Sequence, residues 1–138
     1  YLAALDVHRA KVFGRCERSS GIAPFDRLVA QVMMQPPYNQ ARRVFWIVDN
    51  GSSHRGTRCV ARLREQYKNL VVVHGPVHAS WLNQIEMWFS ILMRKFLKRG
   101  SFLSQGDLAA KILDFIAYYN DKMAKPFKWT YKGKVLTV

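Results

Sequence analysis

A mixed α/β layer arrangement is the fold class this sequence predicts, and three observations carry it. Two short runs that suit strands open the chain, on either side of His8-Arg9-Ala10-Lys11. Two further runs, Val44-Phe45-Trp46-Ile47-Val48 and Leu70-Val71-Val72-Val73, are continuously apolar, as buried strands are. Between and after them, apolar residues recur at spacings of three and four, which marks amphipathic helices. Strands first, then strands alternating with helices, is the order of a mixed α/β domain.

Residues 1–7 and 12–18 are predicted to pair as a hairpin, turned by His8-Arg9-Ala10-Lys11 without the glycine that best suits such a turn. Pro24 suits the first turn of a helix. Phe25, Leu28, Val29, Val32 and Met33 follow on one face, and Pro36-Pro37 stops the helix. After the strand Val44–Val48, residues 56–67 are predicted helical, with Val60, Leu63 and Tyr67 inward and Arg58 and Arg62 sharing the opposite face. Residues 70–73 form a short strand, ended by Gly75-Pro76. Ser80 is the expected N-cap of the next helix, whose stripe is Trp81, Ile85, Trp88, Phe89, Leu92 and Phe96. Glu86 falls in its second turn, with Asn83 three residues earlier on the same side. Arg94, Lys95, Lys98 and Arg99 cluster near its end, where cations complement the helix dipole. A last helix over 105–119 turns Leu108, Ile112, Phe115, Ile116 and Tyr119 inward, and a basic tail begins at about Met123.

The length of 138 residues fits one domain, without internal repeats. An apolar share of 49% and 18 aromatics (4 Trp, 6 Tyr, 8 Phe) supply a real core. The net charge of +13, from 22 basic against 9 acidic residues, calls for a polyanionic partner. Nucleic acid is expected over a membrane surface, since no apolar run approaches a spanning helix and no secretory leader is visible. Cys16 and Cys59 lack metal-ligand spacing and read as reduced thiols, which favours a reducing cytoplasm.

Two lone acids stand out. Asp49 closes the apolar run at Val48, and Glu86 follows with 36 residues between them. A carboxylate at a strand end facing one on a helix suits a divalent cation. Asp49-Asn50-Gly51 is also strong turn chemistry. Glu86, among Ile85, Met87, Trp88 and Phe89, is expected near a buried face, bound to a cation or paired with Arg94 or Lys95. Asp6 sits beside the hairpin turn, where Asp is ordinary. His74 and His78 lie across Gly75-Pro76 and cannot form a helical ligand pair.

The runs Ile47-Val48-Asp49-Asn50-Gly51-Ser52-Ser53-His54 and Ser80-Trp81-Leu82-Asn83-Gln84-Ile85-Glu86-Met87-Trp88 resemble the second and third acidic positions of the DDE transposases, in their mariner-like bacterial insertion-sequence branch. Ala3-Ala4-Leu5-Asp6-Val7-His8 resembles the family's second strand. Lys98-Arg99-Gly100-Ser101-Phe102 and residues 120–130, with Pro126-Phe127-Lys128-Trp129-Thr130, resemble its C-terminal end. The resemblance implies an RNase H-like fold, a mixed sheet flanked by helices, whose first strand is central and carries the first catalytic Asp. This chain is expected to start after that strand, as a partial catalytic domain.

The implied activity is metal-dependent DNA cleavage and strand transfer: water attacks a phosphodiester at the element end, and the freed 3′ hydroxyl attacks target DNA. Asp49 and Glu86 would be the catalytic metal ligands, with two Mg²⁺ ions in the complete site and Mn²⁺ able to substitute. Asn50, His54 and Asn83 would support them. Arg55, Arg58, Arg62, Arg94, Lys95, Lys98 and Arg99 would bind DNA. The implied partners are element ends, target DNA and a second copy in a homodimer, with no membrane and no small-molecule cofactor, in the bacterial cytoplasm at the nucleoid. With the first of the three acidic ligands expected to lie upstream of this chain, the chain alone is expected to be inactive. Its hairpin is expected either to dock beside 44–48 or to leave the fold loose, with reduced unfolding cooperativity. A non-catalytic DNA-binding remnant of a decayed element, and a nuclease of this fold acting on RNA–DNA hybrids, are the alternatives.

Overall fold

The computed structural model describes residues 1–49, 57–75 and 84–126, except for the side chains of 57–59. Their elements run β1 Leu2–Asp6, β2 Lys11–Arg15, α1 Ile22–Met33, β3 Val44–Val48, α2 Thr57–Gln66, β4 Leu70–His74, α3 Ile85–Lys95 and α4 Gln105–Tyr118. The expected mixed α/β order is present.

β1 and β2 pair antiparallel, from Leu2 opposite Arg15 to Asp6 opposite Lys11. Both strands are shorter than the sequence predicts, and Asp6 ends the first of them. Its Oδ1 accepts the backbone N–H groups of His8 (2.9 Å) and Arg9 (3.1 Å), which bends the chain immediately after the strand. Ala10 closes the turn at φ 55°, a conformation that favours glycine and costs another residue about 1–2 kcal/mol.

β3 and β4 pair parallel, with Val44 opposite Leu70 and Val48 opposite His74. Among the described residues the two ladders are separate; no strand pairing joins β1 or β2 to β3 or β4. The hairpin therefore does not dock edge to edge beside β3. A shared core holds the ladders instead. Leu2, Ala4 and Phe13 from one ladder and Val44, Trp46, Val48, Leu70 and Val72 from the other pack on Phe25, Leu28, Val29, Val32 and Met33 of α1 and Leu63 of α2.

The period of two along a strand sends the alternate hairpin residues, Ala3, Leu5 and Val12, into a second core. There they meet Trp88 and Leu92 of α3, Ile112 and Ile116 of α4, and Tyr119. Gly14 permits this approach: a Cβ on it would lie 2.5 Å from Ile116 Cδ1 and 2.8 Å from the Tyr1 hydroxyl.

α1 carries Pro24 in its first turn as predicted, and the chain turns away through Pro36-Pro37, a cis peptide. α4 is capped at both levels: Ser104 Oγ accepts from Asp107 N–H (3.0 Å), and Asp107 Oδ2 accepts from Leu103 N–H (3.0 Å). A π-type turn, Tyr119–Met123, follows α4, and Met123 and Ala124 pack on the second core. The packed chain thus extends beyond the point where the sequence predicts a tail.

The outer edge of β2 is closed by side-chain amides. Asn120 Nδ2 donates to Val12 C=O, and Asn120 Oδ1 accepts from Val12 N–H, both at 2.8 Å. Gln31 Nε2 donates to Gly14 C=O at 3.4 Å. An edge strand whose polar groups are occupied is a poor template for pairing with another chain.

Candidate functional site

The parallel ladder sets the position of Asp49. Gly75 N–H donates to Val48 C=O at 3.0 Å, which holds the carboxyl ends of β3 and β4 level with one another. Asp49 is the next residue after β3 and is exposed. Ligand sites of open α/β sheets lie at the carboxyl ends of their strands.

Glu86 lies in the first turn of α3. The described helix starts at Ile85 after Gln84, which makes no side-chain cap; Ser80, the cap expected from sequence, lies outside the described residues. Glu86 is exposed and forms no ion pair with a described residue. This corrects the expectation of a carboxylate beside a buried face and of pairing with Arg94 or Lys95. Successive helical residues point about 100° apart, so Trp88 is buried at 1% exposure while Glu86 and Met87 face solvent.

Asn50, His54, Arg55, Asn83 and the side chain of Arg58 lie outside the described residues, as do Trp81, Pro76, His78, the side chain of Cys59 and the 127–130 part of the C-terminal motif. Arg62 is in place, and its guanidinium pairs with Asp26 Oδ2 at 2.5 Å, tying α2 to α1. Arg94, Lys95, Lys98 and Arg99 are all exposed, at the end of α3 and in the short 3₁₀ turn Leu97–Arg99. Arg94 Nε donates to Ser90 C=O at 3.2 Å. None of the four pairs with a described carboxylate, so this end of α3 is a concentrated positive surface. Among the described residues, no three His, Cys, Asp or Glu side chains gather as a metal-binding group. Cys16 is a free, half-buried thiol, and burial raises its pKa.

Asp6 has both oxygens engaged. Besides the two backbone groups on Oδ1, its Oδ2 accepts from the Tyr38 hydroxyl (2.6 Å) and from Arg9 Nη1 (3.2 Å). Its side chain is 7% exposed. Burial pushes its pKa up, but the four donors outweigh burial and hold it below 3.8. Nothing local in the sequence links Tyr38 to Asp6, 32 residues away.

A depressed carboxylate stabilises the fold fully above its unfolded pKa and ceases to do so as pH falls through its folded pKa. Glu17, bonded to Arg27 and Arg15, is lowered to about 2 and acts in the same direction. Stability is therefore expected to decline as pH falls from about 4 towards 2. Tyr38→Phe removes a donor from Asp6 and is expected to move the acid midpoint to higher pH. Circular dichroism during acid titration reads this; an unchanged midpoint would mean that the hydroxyl contributes nothing to holding Asp6 ionised.

The fold and charge distribution define a mixed α/β domain with one exposed carboxylate at the end of a parallel strand pair, a second in the first turn of a helix, and a cationic patch at that helix's far end. The chain belongs to the DDE superfamily endonucleases, the family whose sequence pattern it matches over residues 1–109. That span includes Asp49, Glu86 and the whole cationic patch; most of α4 and Asn120 fall beyond it. No curated protein and no solved structure matches the chain. No described helix is long and apolar enough to cross a membrane.

Proposed function

We propose that this chain is the C-terminal portion of a transposase catalytic domain of the mariner-like insertion-sequence type, with an RNase H-like fold, acting on DNA. The observation that carries the reading is the family match across both Asp49 and Glu86, with Asp49 at the carboxyl end of a parallel ladder. Asp49 and Glu86 offer hard carboxylate oxygens, which suit Mg²⁺ or Mn²⁺. In phosphodiester cleavage such ions activate the attacking water and stabilise the leaving oxygen. Asn50, His54 and Asn83 support the two ligands. Arg94, Lys95, Lys98 and Arg99 grip phosphates, joined by Arg55, Arg58 and, on release from Asp26, Arg62. A third carboxylate on a strand entering between the two ladders would complete both the sheet and the site. The chain alone then binds DNA and metal without cutting.

Three measurements on the whole chain test the reading. Mn²⁺ affinity, followed by electron spin resonance, is expected to fall at least about tenfold in Asp49→Asn and in Glu86→Gln. Equal affinities would remove both residues from the site. Duplex affinity should fall steeply with salt. Replacing Arg94, Lys95, Lys98 and Arg99 with Gln should reduce the log–log salt slope by about 3–4. An unchanged slope would place DNA elsewhere. Supercoiled plasmid should stay intact in Mg²⁺; nicking abolished by Asp49→Asn would mean that the third ligand lies within these residues.

A further inference from the structure

The β3–β4 pair packs into the first core by Val44, Trp46, Val48, Leu70 and Val72, which share one face. The opposite face carries Phe45 beside Val71 and Ile47 beside Val73. Phe45 and Ile47 are each 61% exposed, and Val73 is 41% exposed. Parallel strands ordinarily have both faces covered, and a contiguous exposed apolar patch marks a binding surface.

The charges at the two ends of this face select its occupant. Val44 N–H donates to Asn69 C=O at 2.8 Å, which brings the starts of β3 and β4 together. Arg42, Arg43 and Lys68 come just before those starts, and all three are exposed. At the other end Asp49, also exposed, is the next residue in the alternation of Phe45 and Ile47. One path therefore runs from a cationic end, over an aromatic ring and aliphatic side chains, to the carboxylate assigned to the metal. From Phe45 to Asp49 it spans about 13 Å, up to about four nucleotides at the spacing of a stacked strand. Cations beside an exposed ring suit unpaired nucleic acid: phosphates meet the cations, and a base stacks on the ring. A duplex keeps its base faces within its own stack and offers none to Phe45. A protein partner fits less well. Three exposed apolar side chains fall far short of the roughly 20–30 residues a side that a stable protein–protein interface uses. A second copy would also bring its own charge of +13 to the same place.

We propose that the Phe45, Ile47 and Val73 face binds the unpaired DNA strand that leads to Asp49. One base stacks on Phe45, the next lies against Ile47 and Val73, and Arg42, Arg43 and Lys68 hold the phosphates. Resting on the reading of Asp49 as part of a DNA-cutting site, this gives that site a locally strand-separated substrate. Every base has a π-face, so the contact carries no sequence preference.

Fluorescence anisotropy on the full chain tests this, with a labelled single-stranded oligonucleotide and the duplex of the same sequence. Phe45→Ala is expected to weaken single-strand binding about tenfold and to leave duplex affinity unchanged. Phe45→Trp should keep single-strand affinity, whereas Phe45→Leu, apolar without a ring, should lose it as alanine does. Phe45 is exposed, so the urea midpoint should stay the same in all three variants. An abasic oligonucleotide of equal length should bind the unsubstituted chain no better than the alanine variant. Full affinity in Phe45→Leu, or equal losses for single strand and duplex, would overturn the proposal. Salt-dependent duplex binding with single-strand affinity unmoved by Phe45→Ala would sink this site and leave the DNA reading standing. No salt-dependent binding of either form would sink both. A dimer in sedimentation that Phe45→Ala dissociates would assign the face to a second copy and overturn the proposal equally.

Discussion

Trp88→Ala is expected to remove about 3–5 kcal/mol from the stability of the fold. Trp88 is 1% exposed at the centre of the second core. Its ring stacks near Phe115 (centroids 5.9 Å apart) and meets Tyr119 edge-on (4.8 Å). Its Nε1–H donates to the Tyr1 hydroxyl at 3.0 Å, which fastens the start of the chain to α3. Truncation opens a large cavity between two helices and the hairpin and removes that bond as well. Trp88→Phe keeps most of the packing but loses the donor, so it should cost about 1–2 kcal/mol. Urea denaturation of both variants gives the comparison. A loss under about 1 kcal/mol for Trp88→Ala would mean that the second core is not built around this ring. The same burial sets the rotation of α3 and so directs Glu86 outward. Trp88→Phe should therefore retain Mn²⁺ binding that Glu86→Gln loses.

The residues legible in the sequence were those whose surroundings are local. Val44–Val48 could be read as a strand because five consecutive apolar residues fit little else that short. α1 was bounded by Pro24 and by Pro36-Pro37, which act within a residue or two of themselves. Asp49 was legible for the same reason, as the first polar residue after an apolar run. The surroundings of Glu86 were misread because its neighbours in sequence are not its neighbours in space: Trp88 turns inward, while Glu86 and Met87 turn out. The end of β1 is not legible in the same way, because apolar content does not reveal that Asp6 spends its carboxylate on the turn. Separate ladders could not be foreseen from periodicity, which identifies the inward face of a strand but not the strand beside it.

Asn120→Ala is the second large effect, expected to cost about 2–4 kcal/mol and to lower the thermal midpoint by about 10 °C. Asn120 and Val12 are 108 residues apart, and the amide satisfies both the N–H and the C=O of Val12. Val12 is 1% exposed, so water cannot readily replace what is lost. Alanine leaves a donor and an acceptor unpaired beside the second core, each costing about 1–3 kcal/mol. Asn120→Asp separates the two bonds. Ionised, it still accepts from Val12 N–H but sets a negative oxygen against Val12 C=O, so it should be nearly as damaging at neutral pH. Once protonated it can donate again, so its deficit relative to the unsubstituted chain should shrink as pH falls through the carboxylate range. That is opposite in sign to the acid loss expected from Asp6 and Glu17. Opening the β2 edge has a further consequence, since a bare edge strand pairs with others. The alanine variant should self-associate where the unsubstituted chain does not exceed its usual size in light scattering. A stability change within about 0.5 kcal/mol would mean that the paired bonds to Val12 are not what holds the end of α4 against the hairpin.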